Sequence, residues 1–284
     1  MYPKRLIAGE YVTLYGICIA VGVLLCIFCL RYFGKKNKVD NKFLDFVELL
    51  GYGAIGVGFL SSWLFQTFYH FVETGKWDWS QTGITFIGGL IGGVGTFLLV
   101  YFLLRKKLTG KIIDILPIAP ICITVAHAFG RIGCFFAGCC GGNVAQEGDF
   151  FYFLAVRFSH LTYNNEIVKD TYLTYPVQLF EAIFLLIITG IMILLLVKKN
   201  FKYNFIVYLP AYGIWRFLIE FARGDERGQI FKGVDWISPS QFFSLIMILL
   251  TVPLFFYLRY LIRNREKDFL EKEIEVVEDV TSNE

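Results

Sequence analysis

The amino-acid sequence predicts an all-α integral membrane protein with about seven transmembrane helices, N-out and C-in, carrying a small extracytoplasmic cap. Hydrophobic residues make up 56% of the 284 residues and the mean hydropathy is +0.58, which exceeds the apolar share of soluble domains. Apolar runs of about 20 residues, enough to cross a hydrocarbon core roughly 30 Å thick, recur along the chain. They lie near residues 11–30, 46–70, 83–104, 112–130, 178–197, 203–222 and 239–262.

Positive charges beside these runs predict the orientation. Clusters of lysine and arginine follow the first, third, fifth and seventh runs, and the other connections carry fewer positive charges or balance them with acids. The clusters are Arg31, Lys35, Lys36, Lys38 and Lys42, then Arg105, Lys106, Lys107 and Lys111, then Lys198, Lys199 and Lys202, and finally Arg259, Arg263 and Arg265. Because such clusters concentrate in cytoplasmic loops, we expect the N-terminus outside and the C-terminus inside. The flanks also explain the net charge of +3, so we expect no nucleic-acid partner.

These runs divide the chain into a seven-span membrane domain, 1–262, and a charged cytoplasmic tail, 263–284. The first run lacks a small-residue cleavage site and its positive cluster follows it, so we expect a retained helix rather than a signal peptide. The one long connection, 131–176, is rich in aromatic residues and alternates enough to predict short strands in an extracytoplasmic cap. The tail is dominated by charge and is expected to fray.

The end of the fourth run, residues 127–142, combines ionisable residues, thiols and glycines. An ionisable side chain at the membrane is costly unless it faces a polar cavity or an anionic partner, so it indicates function. If the helix persists through Gly130, then His127, Arg131 and Cys134 share one face. The alternative is a glycine-rich helix end with small buried thiols.

The sixth run carries Arg216, Glu220 and Arg223 at helical offsets of four and seven, which predicts one stripe. An arginine and a glutamate four residues apart can neutralise each other as a purely structural pair. With Arg131 in the same bundle, however, positive charge is in excess. A phosphate would neutralise that charge and accept bidentate hydrogen bonds from the guanidinium groups. We therefore favour a phosphate site over a structural network.

Three further polar or small-residue features lie in other runs. Gln178 and Glu181 form a polar patch at the start of the fifth run, which we expect to meet the fourth and sixth runs at one cavity. Tyr15 either binds a partner inside the bundle or lies at the membrane interface. The glycines of residues 88–93 are more typical of close helix packing than of a site.

The seven cysteines fall into two groups. Those within runs, Cys18, Cys26, Cys29 and Cys122, are expected to be small buried residues. The second group, near the cap, is Cys134, Cys139 and Cys140. Disulfides between these residues would form only in an oxidising compartment. Their spacing, even with His127, lacks the paired Cys-x2-Cys of zinc sites, so we expect no metal and no cofactor. We favour a packing or substrate-lining role over a catalytic thiol.

Several segments, in order along the chain, carry a family resemblance. They are Leu14-Tyr15-Gly16, Gly88-Gly89-Leu90, Gly130-Arg131-Ile132-Gly133 with Phe135 and Gly142, the run Tyr175-Pro176-Val177-Gln178-Leu179-Phe180-Glu181-Ala182, and residues 216–225. Together they resemble the bacterial phosphatidylglycerol–prolipoprotein diacylglyceryl transferases, whose HPTQLYEA segment is similar to residues 175–182. The resemblance covers about residues 11–260.

The chain departs from that family pattern at four positions. Ile87 and Tyr175 stand where the family has histidine, Cys134 where it has asparagine, and Cys139 where it has an acidic residue. These departures affect the proton-transfer part of the family mechanism, and the acceptor, more than the lipid-phosphate part.

The resemblance implies a multi-pass transferase of the bacterial cell membrane that acts in lipoprotein biosynthesis. It would move the diacylglyceryl group of phosphatidylglycerol to the lipobox cysteine of a prolipoprotein, forming a thioether and releasing glycerol phosphate. Thiolate is the competent nucleophile, and guanidiniums stabilise charge on the leaving phosphate. The implied catalytic residues are Arg131 and Arg216 for the phosphate, Glu220 to orient Arg216, His127 as general base, and Tyr15.

The resemblance also implies a set of substrate-binding residues. Besides the two catalytic arginines, these are Arg223, Gly88, Gly89, Cys134, Cys139, Gly142, Gln178 and Glu181. Two alternatives stay open: a related transferase with a different acceptor, and a catalytically silent lipid-binding or transport paralogue. A second, motif-complete copy in the same genome would favour a paralogue with an altered substrate. Transport would be favoured by an inverted repeat, which the sequence does not show.

Overall fold

The computed structural model describes residues 13–79, 86–158, 160–163, 166–169, 172–224 and 237–282. These residues form seven α-helices, namely α1 (Leu14–Lys36), α2 (Asn41–Thr74), α3 (Phe86–Leu104), α4 (Ala119–Ala137), α5 (Val177–Lys199), α6 (Asn204–Ile219) and α7 (Pro239–Ser282). Six helices are long and apolar enough to cross a membrane, and a shorter apolar helix spans Gly88–Leu104. Large apolar side chains such as Leu49, Leu103 and Leu249 point outward, with exposures of 72%, 71% and 71%. The predicted all-α membrane fold is confirmed.

The predicted bounds of the fourth span, 112–130, are wrong. Only a single 3-10 turn, Ile112–Asp114, forms in the first part of that run. The helix itself begins at Ala119 with Pro120 in its first turn, where the missing proline N–H costs no intrahelical hydrogen bond. It continues through Ala137, so the connection that forms the cap begins at Gly138 and not at residue 131.

The charged tail is also more ordered than expected, because α7 continues without a break to Ser282. Its C-terminal half is rich in glutamate, which favours helix, and mixes charges of both signs. Glu266 pairs with Lys202 at 2.8 Å, which ties this half of α7 to the segment between α5 and α6. The prediction that the tail frays is therefore wrong through residue 282.

The connection between α4 and α5 contains short antiparallel strands, as predicted. The first pair joins β1 (Val156–Arg157) to β4 (Leu173–Thr174), and the second joins β2 (His160–Tyr163) to β3 (Glu166–Lys169). Phe158, only 1% exposed, meets Phe135 of α4 edge to face with ring centroids 5.4 Å apart. This aromatic contact anchors the cap to the helix that precedes it.

The chain divides into two compact units, residues 30–115 and residues 1–29 with 116–284. In the first, α2 and α3 approach closely at glycines: a Cβ on Gly88 would lie 2.6 Å from Phe65 Cβ, and Gly89 faces Ser62. This is the packing role that the glycine run indicates. In the second unit, α4 packs against α5 and α6 against α7.

Candidate active site

The fourth and fifth helices bring a buried ion pair together. Because α4 persists through Gly130, His127 and Arg131 share one face, as predicted. Glu181 of α5, 1% exposed, forms an ion pair with Arg131, in which Oε2 lies 3.1 Å from Nε. Its other oxygen, Oε1, lies 3.7 Å from His127 Nε2. The expectation that the polar positions of these two helices converge is therefore confirmed.

The imidazole of His127 is held on two sides. Its Nε2 accepts a long hydrogen bond from Arg131 Nε at 3.4 Å, which assigns the ring proton to Nδ1. Its ring meets that of Tyr212 edge to face at 5.3 Å. The Tyr212 hydroxyl donates to Glu181 Oε1 at 2.8 Å. Sequence reasoning missed Tyr212, although it lies one helical turn before Arg216 on α6.

The second arginine has its own carboxylate. Arg216 Nη1 lies 2.9 Å from Glu220 Oε2, so the predicted pair is confirmed. Two serines at the start of α7 complete it: Ser240 Oγ accepts from Arg216 Nη2 at 2.7 Å, and Ser238 Oγ donates to Glu220 Oε1 at 2.8 Å. Arg216 also interacts electrostatically with Glu181, so the two ion pairs belong to one polar cluster. Sequence reasoning did not single out these serines.

Arg223 does not continue the helical stripe that its spacing predicts. Helix α6 ends at Ile219, a 3-10 turn covers Glu220–Ala222, and Arg223 is extended with φ −88° and ψ 142°. Its backbone instead forms an antiparallel bridge with Gly142. The side chain is nevertheless buried, at 8% exposure. The prediction that Arg223 shares one helical stripe with Arg216 and Glu220 is therefore wrong. Arg223 nevertheless lies beside the segment that follows α4.

Gly142 is the point where three connections cross. Its N–H donates to the carbonyl of Tyr175 at 3.0 Å, and a Cβ here would lie 2.5 Å from that oxygen and 2.9 Å from the carbonyl of Ala222. No larger residue fits between these two strands of backbone without displacing them. Gly142 thus joins the ends of α4 and α6 to the start of α5.

Three thiols meet where α4 ends. Gly138 is left-handed with φ 67° and turns the chain back, so that Cys139 N–H donates to the carbonyl of Cys134 at 3.2 Å. Gln178, 1% exposed, fixes the turn by donating from Nε2 to the carbonyl of Cys139 at 2.6 Å. As a result the Sγ atoms of Cys134, Cys139 and Cys140 all lie within 4.8 Å of one another, and the described residues hold no other such ligand cluster.

Charge and hydrogen bonding shift the pKa values of the two thiols that follow the helix, Cys139 and Cys140, in opposite directions. Hydrogen bonds to Cys134 and Cys139, together with the guanidiniums of Arg223 and Arg131, lower the pKa of Cys140. Hydrogen bonds to Cys134 and Cys140 raise the pKa of Cys139. Cys140 also has a left-handed backbone, with φ 59°, which is unusual for a residue other than glycine.

Two tyrosines flank this region. Tyr175 donates to Asp149 Oδ2 at 2.8 Å, and the Gln146 N–H together with this hydroxyl holds the pKa of Asp149 below its ordinary value. Tyr15 lies in the first turn of α1, is 40% exposed, and packs close to Gly133, where a Cβ would lie 3.0 Å from its ring. Tyr15 also interacts electrostatically with Arg131 and the three thiols. Of the predicted site residues, Gly88 and Gly89 belong to the other unit, 30–115.

Known proteins resemble the chain over nearly its full length. Residues 6–257 match the family model described as prolipoprotein diacylglyceryl transferase. A phosphatidylglycerol–prolipoprotein diacylglyceryl transferase of Clostridium tetani is 27% identical over 246 residues, covering 85% of this chain and 91% of the relative. The enzyme of that name from Campylobacter lari is 29% identical over 280 residues, covering 91% and 93%. A second such transferase of Clostridium perfringens is 29% identical over 169 residues, covering 59% of each chain.

Proposed function

This chain belongs to the prolipoprotein diacylglyceryl transferase family, and from that premise we propose how its residues perform the family reaction. It is a multi-pass membrane transferase that moves the diacylglyceryl group of phosphatidylglycerol to prolipoproteins. The acceptor atom is the thiol of the lipobox cysteine, the product is a thioether, and glycerol phosphate leaves. The site would face the extracytoplasmic side of the bacterial cell membrane, since the positive flanks predict that the opposite ends of the helices lie in the cytoplasm.

The observation that carries the proposal is a pair of buried guanidinium groups, each held in place by a buried carboxylate. Arg131 and Arg216 each pair with one carboxylate, Glu181 and Glu220, and Arg223 adds a third buried cation beside them. As the glyceryl carbon–oxygen bond breaks, negative charge grows on the leaving phosphate. Preorganised cations in a site shielded from water stabilise that charge at little reorganisation cost. Glu220, Ser238 and Ser240 hold Arg216 in place for this role.

His127 is the general base for the incoming thiol. Neutral imidazole with its proton on Nδ1 keeps the Nε2 lone pair on the side of Arg131, where the phosphate would bind. Glu181 and Tyr212 fix the ring and stabilise the imidazolium that forms when the thiol gives up its proton. Among the described histidines, His127 alone lies in this cluster.

The remaining predicted residues support the site from its edges. Gly142 and Gln178 hold the loop after α4 in position through the backbone contacts described above. Tyr15 covers the cluster from α1, where its phenol lies near Arg131 and the thiols. For Gly88 and Gly89, substrate contact stays a prediction, since the geometry supports a helix-packing role.

The direct test is transfer of labelled diacylglycerol from phosphatidylglycerol to a lipobox peptide in detergent or vesicles. Wild-type enzyme should label the cysteine peptide and not its serine analogue. We expect His127→Gln to lower the rate by about 100-fold or more, because general-base catalysis commonly contributes 10²–10⁴-fold. His70→Gln on α2 is the matched control and should keep the wild-type rate.

Two outcomes would contradict the proposal. Absence of transfer by folded wild-type enzyme would remove the assigned reaction and favour another acceptor or a silent lipid-binding protein. A wild-type rate from His127→Gln would leave the reaction in place but remove the assigned base.

A further inference from the structure

The thiol cluster at the end of α4 is not required by the reaction as described above. Cys134, Cys139 and Cys140 come from a turn that reverses the chain at Gly138, and their Sγ atoms lie within 4.8 Å of one another. Cys140 adopts its left-handed backbone within this turn. A non-glycine residue held there is strained, and such residues concentrate at functional sites.

The separation of the sulfurs matches the ligand set of a soft metal ion. Zinc–sulfur bonds of about 2.3 Å in tetrahedral geometry place the sulfur atoms ~3.8 Å apart, so small side-chain rotations would close this cluster around an ion. Thiolates select soft or borderline ions such as Zn²⁺ over Mg²⁺ or Ca²⁺. The number of thiols is odd, so any disulfide within the cluster would leave one sulfur over.

Two arginines interact electrostatically with the cluster. Both Arg131 and Arg223 act on Cys140, and Arg131 acts on Cys134. Three thiolates and one divalent cation carry a net charge of −1, which these guanidiniums offset. All three cysteines are partly exposed, so a further ligand can reach the sulfurs from outside.

We propose that Cys134, Cys139 and Cys140 form a three-thiolate site for a zinc-like metal ion whose open fourth position binds the acceptor thiol. Catalytic zinc sites have this composition of three protein ligands and one exchangeable position. The open position would hold the nucleophile beside Arg131, which binds the phosphate that it displaces. This inference rests on the proposed function, since it assigns the acceptor of that reaction to the metal.

The transfer step is balanced without any oxidant or reductant. When the acceptor sulfur binds the metal, its S–H bond breaks and the proton passes to His127, because a metal-bound thiol is deprotonated. The sulfur lone pair forms the new carbon–sulfur bond with the glyceryl carbon. The carbon–oxygen bond breaks, its electron pair stays on the phosphate oxygen, and glycerol phosphate leaves. The neutral thioether is a weak ligand, so the product dissociates and the three-thiolate site is restored.

The test measures metal binding apart from activity. Full-length reduced enzyme, purified in detergent and treated with chelator, is titrated with Cd²⁺ while the ultraviolet thiolate-to-cadmium charge-transfer band is recorded. We expect saturation at about one ion per chain. Cys140→Ser should weaken Cd²⁺ binding by at least about 100-fold, since changes in the outer shell alone commonly cost up to that much. A lipobox peptide with cysteine should intensify the band, and its serine analogue should not.

Two variants separate the sources of the signal. Cys26 lies in α1, outside the described three-ligand cluster, so Cys26→Ser should bind Cd²⁺ as the wild type does. Arg216→Lys should lose transfer and keep the band, which distinguishes failure of the reaction from failure of the metal site.

Three results would overturn the inference. One is the absence of a stoichiometric band in reduced wild-type enzyme. Another is a disulfide between two of the three cysteines in enzyme that retains full transfer activity. The third is a charge-transfer band that the cysteine peptide leaves unchanged, which would mean that the acceptor thiol does not bind the metal.

Discussion

Arg216 shows how a charged side chain is held by its neighbours inside a membrane protein. Its exposure is 7%, and three groups surround it: the Glu220 carboxylate, the Ser240 hydroxyl and, at longer range, the Glu181 carboxylate. The planar fork of a guanidinium can satisfy two of these partners and still present N–H groups to a phosphate. An ammonium group offers one point charge in the same space.

We therefore predict that Arg216→Lys lowers diacylglyceryl transfer by about ten-fold or more, because loss of one preorganised stabiliser of developing charge commonly costs roughly 3 kcal/mol. Arg131→Lys should behave in the same way. The measurement is the initial rate of label transfer at saturating phosphatidylglycerol. Arg259→Lys, on the exposed face of α7, is the control and should be silent. Full rates from both site variants would reduce these arginines to structural partners.

The sequence predicted the charged members of the site better than the neutral ones. Arg131, Arg216, Glu181 and Glu220 stand out because charge is rare and costly within apolar runs. Hydroxyl groups such as those of Ser238 and Ser240 are common at helix starts, so nothing in their spacing marks them. The meeting of Cys140 with Cys134 depends on the left-handed turn at Gly138, which Cys-x4-Cys-Cys spacing does not reveal.

At the level of elements, the site depends on how helices end. Helix α4 ends at Gly138, α6 ends at Ile219, and α5 begins after Pro176. Backbone hydrogen bonds at Gly142 hold these three ends together. The sequence located the spans because their apolar runs are long, but it placed the ends of α4 and α7 wrongly. Hydropathy marks where lipid begins, whereas prolines, caps and helix-forming charged residues decide where a helix stops.

We predict that Gly142→Ala destabilises the protein by about 1–3 kcal/mol, the usual cost of overpacking. The added Cβ would lie 2.5 Å from the Tyr175 carbonyl oxygen, so the two backbones must separate. Thermal unfolding in detergent should show a lower Tm together with reduced transfer. Gly190→Ala on α5 has open space around its Cβ and should keep or raise the Tm. Equal Tm values for Gly142→Ala and wild type would mean that the crossing at residue 142 is loosely packed.

For the whole molecule, charge on the connections decides which side of the bilayer each helix end occupies. The basic clusters lie at the C-terminal ends of α1, α3 and α5 and partway along α7, whereas the candidate site lies near the C-terminal ends of α4 and α6. Six of the described helices are long and apolar enough to cross a membrane and one apolar helix is shorter, so opposite sides for the two termini stay a prediction that requires the shorter helix to span as well. These features could be predicted from sequence alone because the positive-inside rule needs only composition.

We predict that a reporter fused after Lys267 is active only in its cytoplasmic form. A matched fusion at Gly148, within the cap, should be active only in its extracytoplasmic form. The measurement pairs an alkaline phosphatase fusion with a green fluorescent protein fusion at each position. Phosphatase activity after Lys267 would reverse the orientation and move the site to the cytoplasmic leaflet.

The length of α7 has a mechanical consequence. Its 44 residues span about 66 Å at 1.5 Å per residue, roughly twice the thickness of the hydrocarbon core. At its N-terminal end, Ser238 and Ser240 hydrogen-bond to Glu220 and Arg216 of the site. Pro253 interrupts the hydrogen bonding partway along. From there the remaining helix is an arm of about 45 Å, so a tilt of about 5° at Pro253 swings Ser282 by roughly 4 Å. A tilt at Pro253 would therefore move the C-terminal end of α7 about twice as far as the end that contacts Arg216, which lies about 20 Å from Pro253 along the helix.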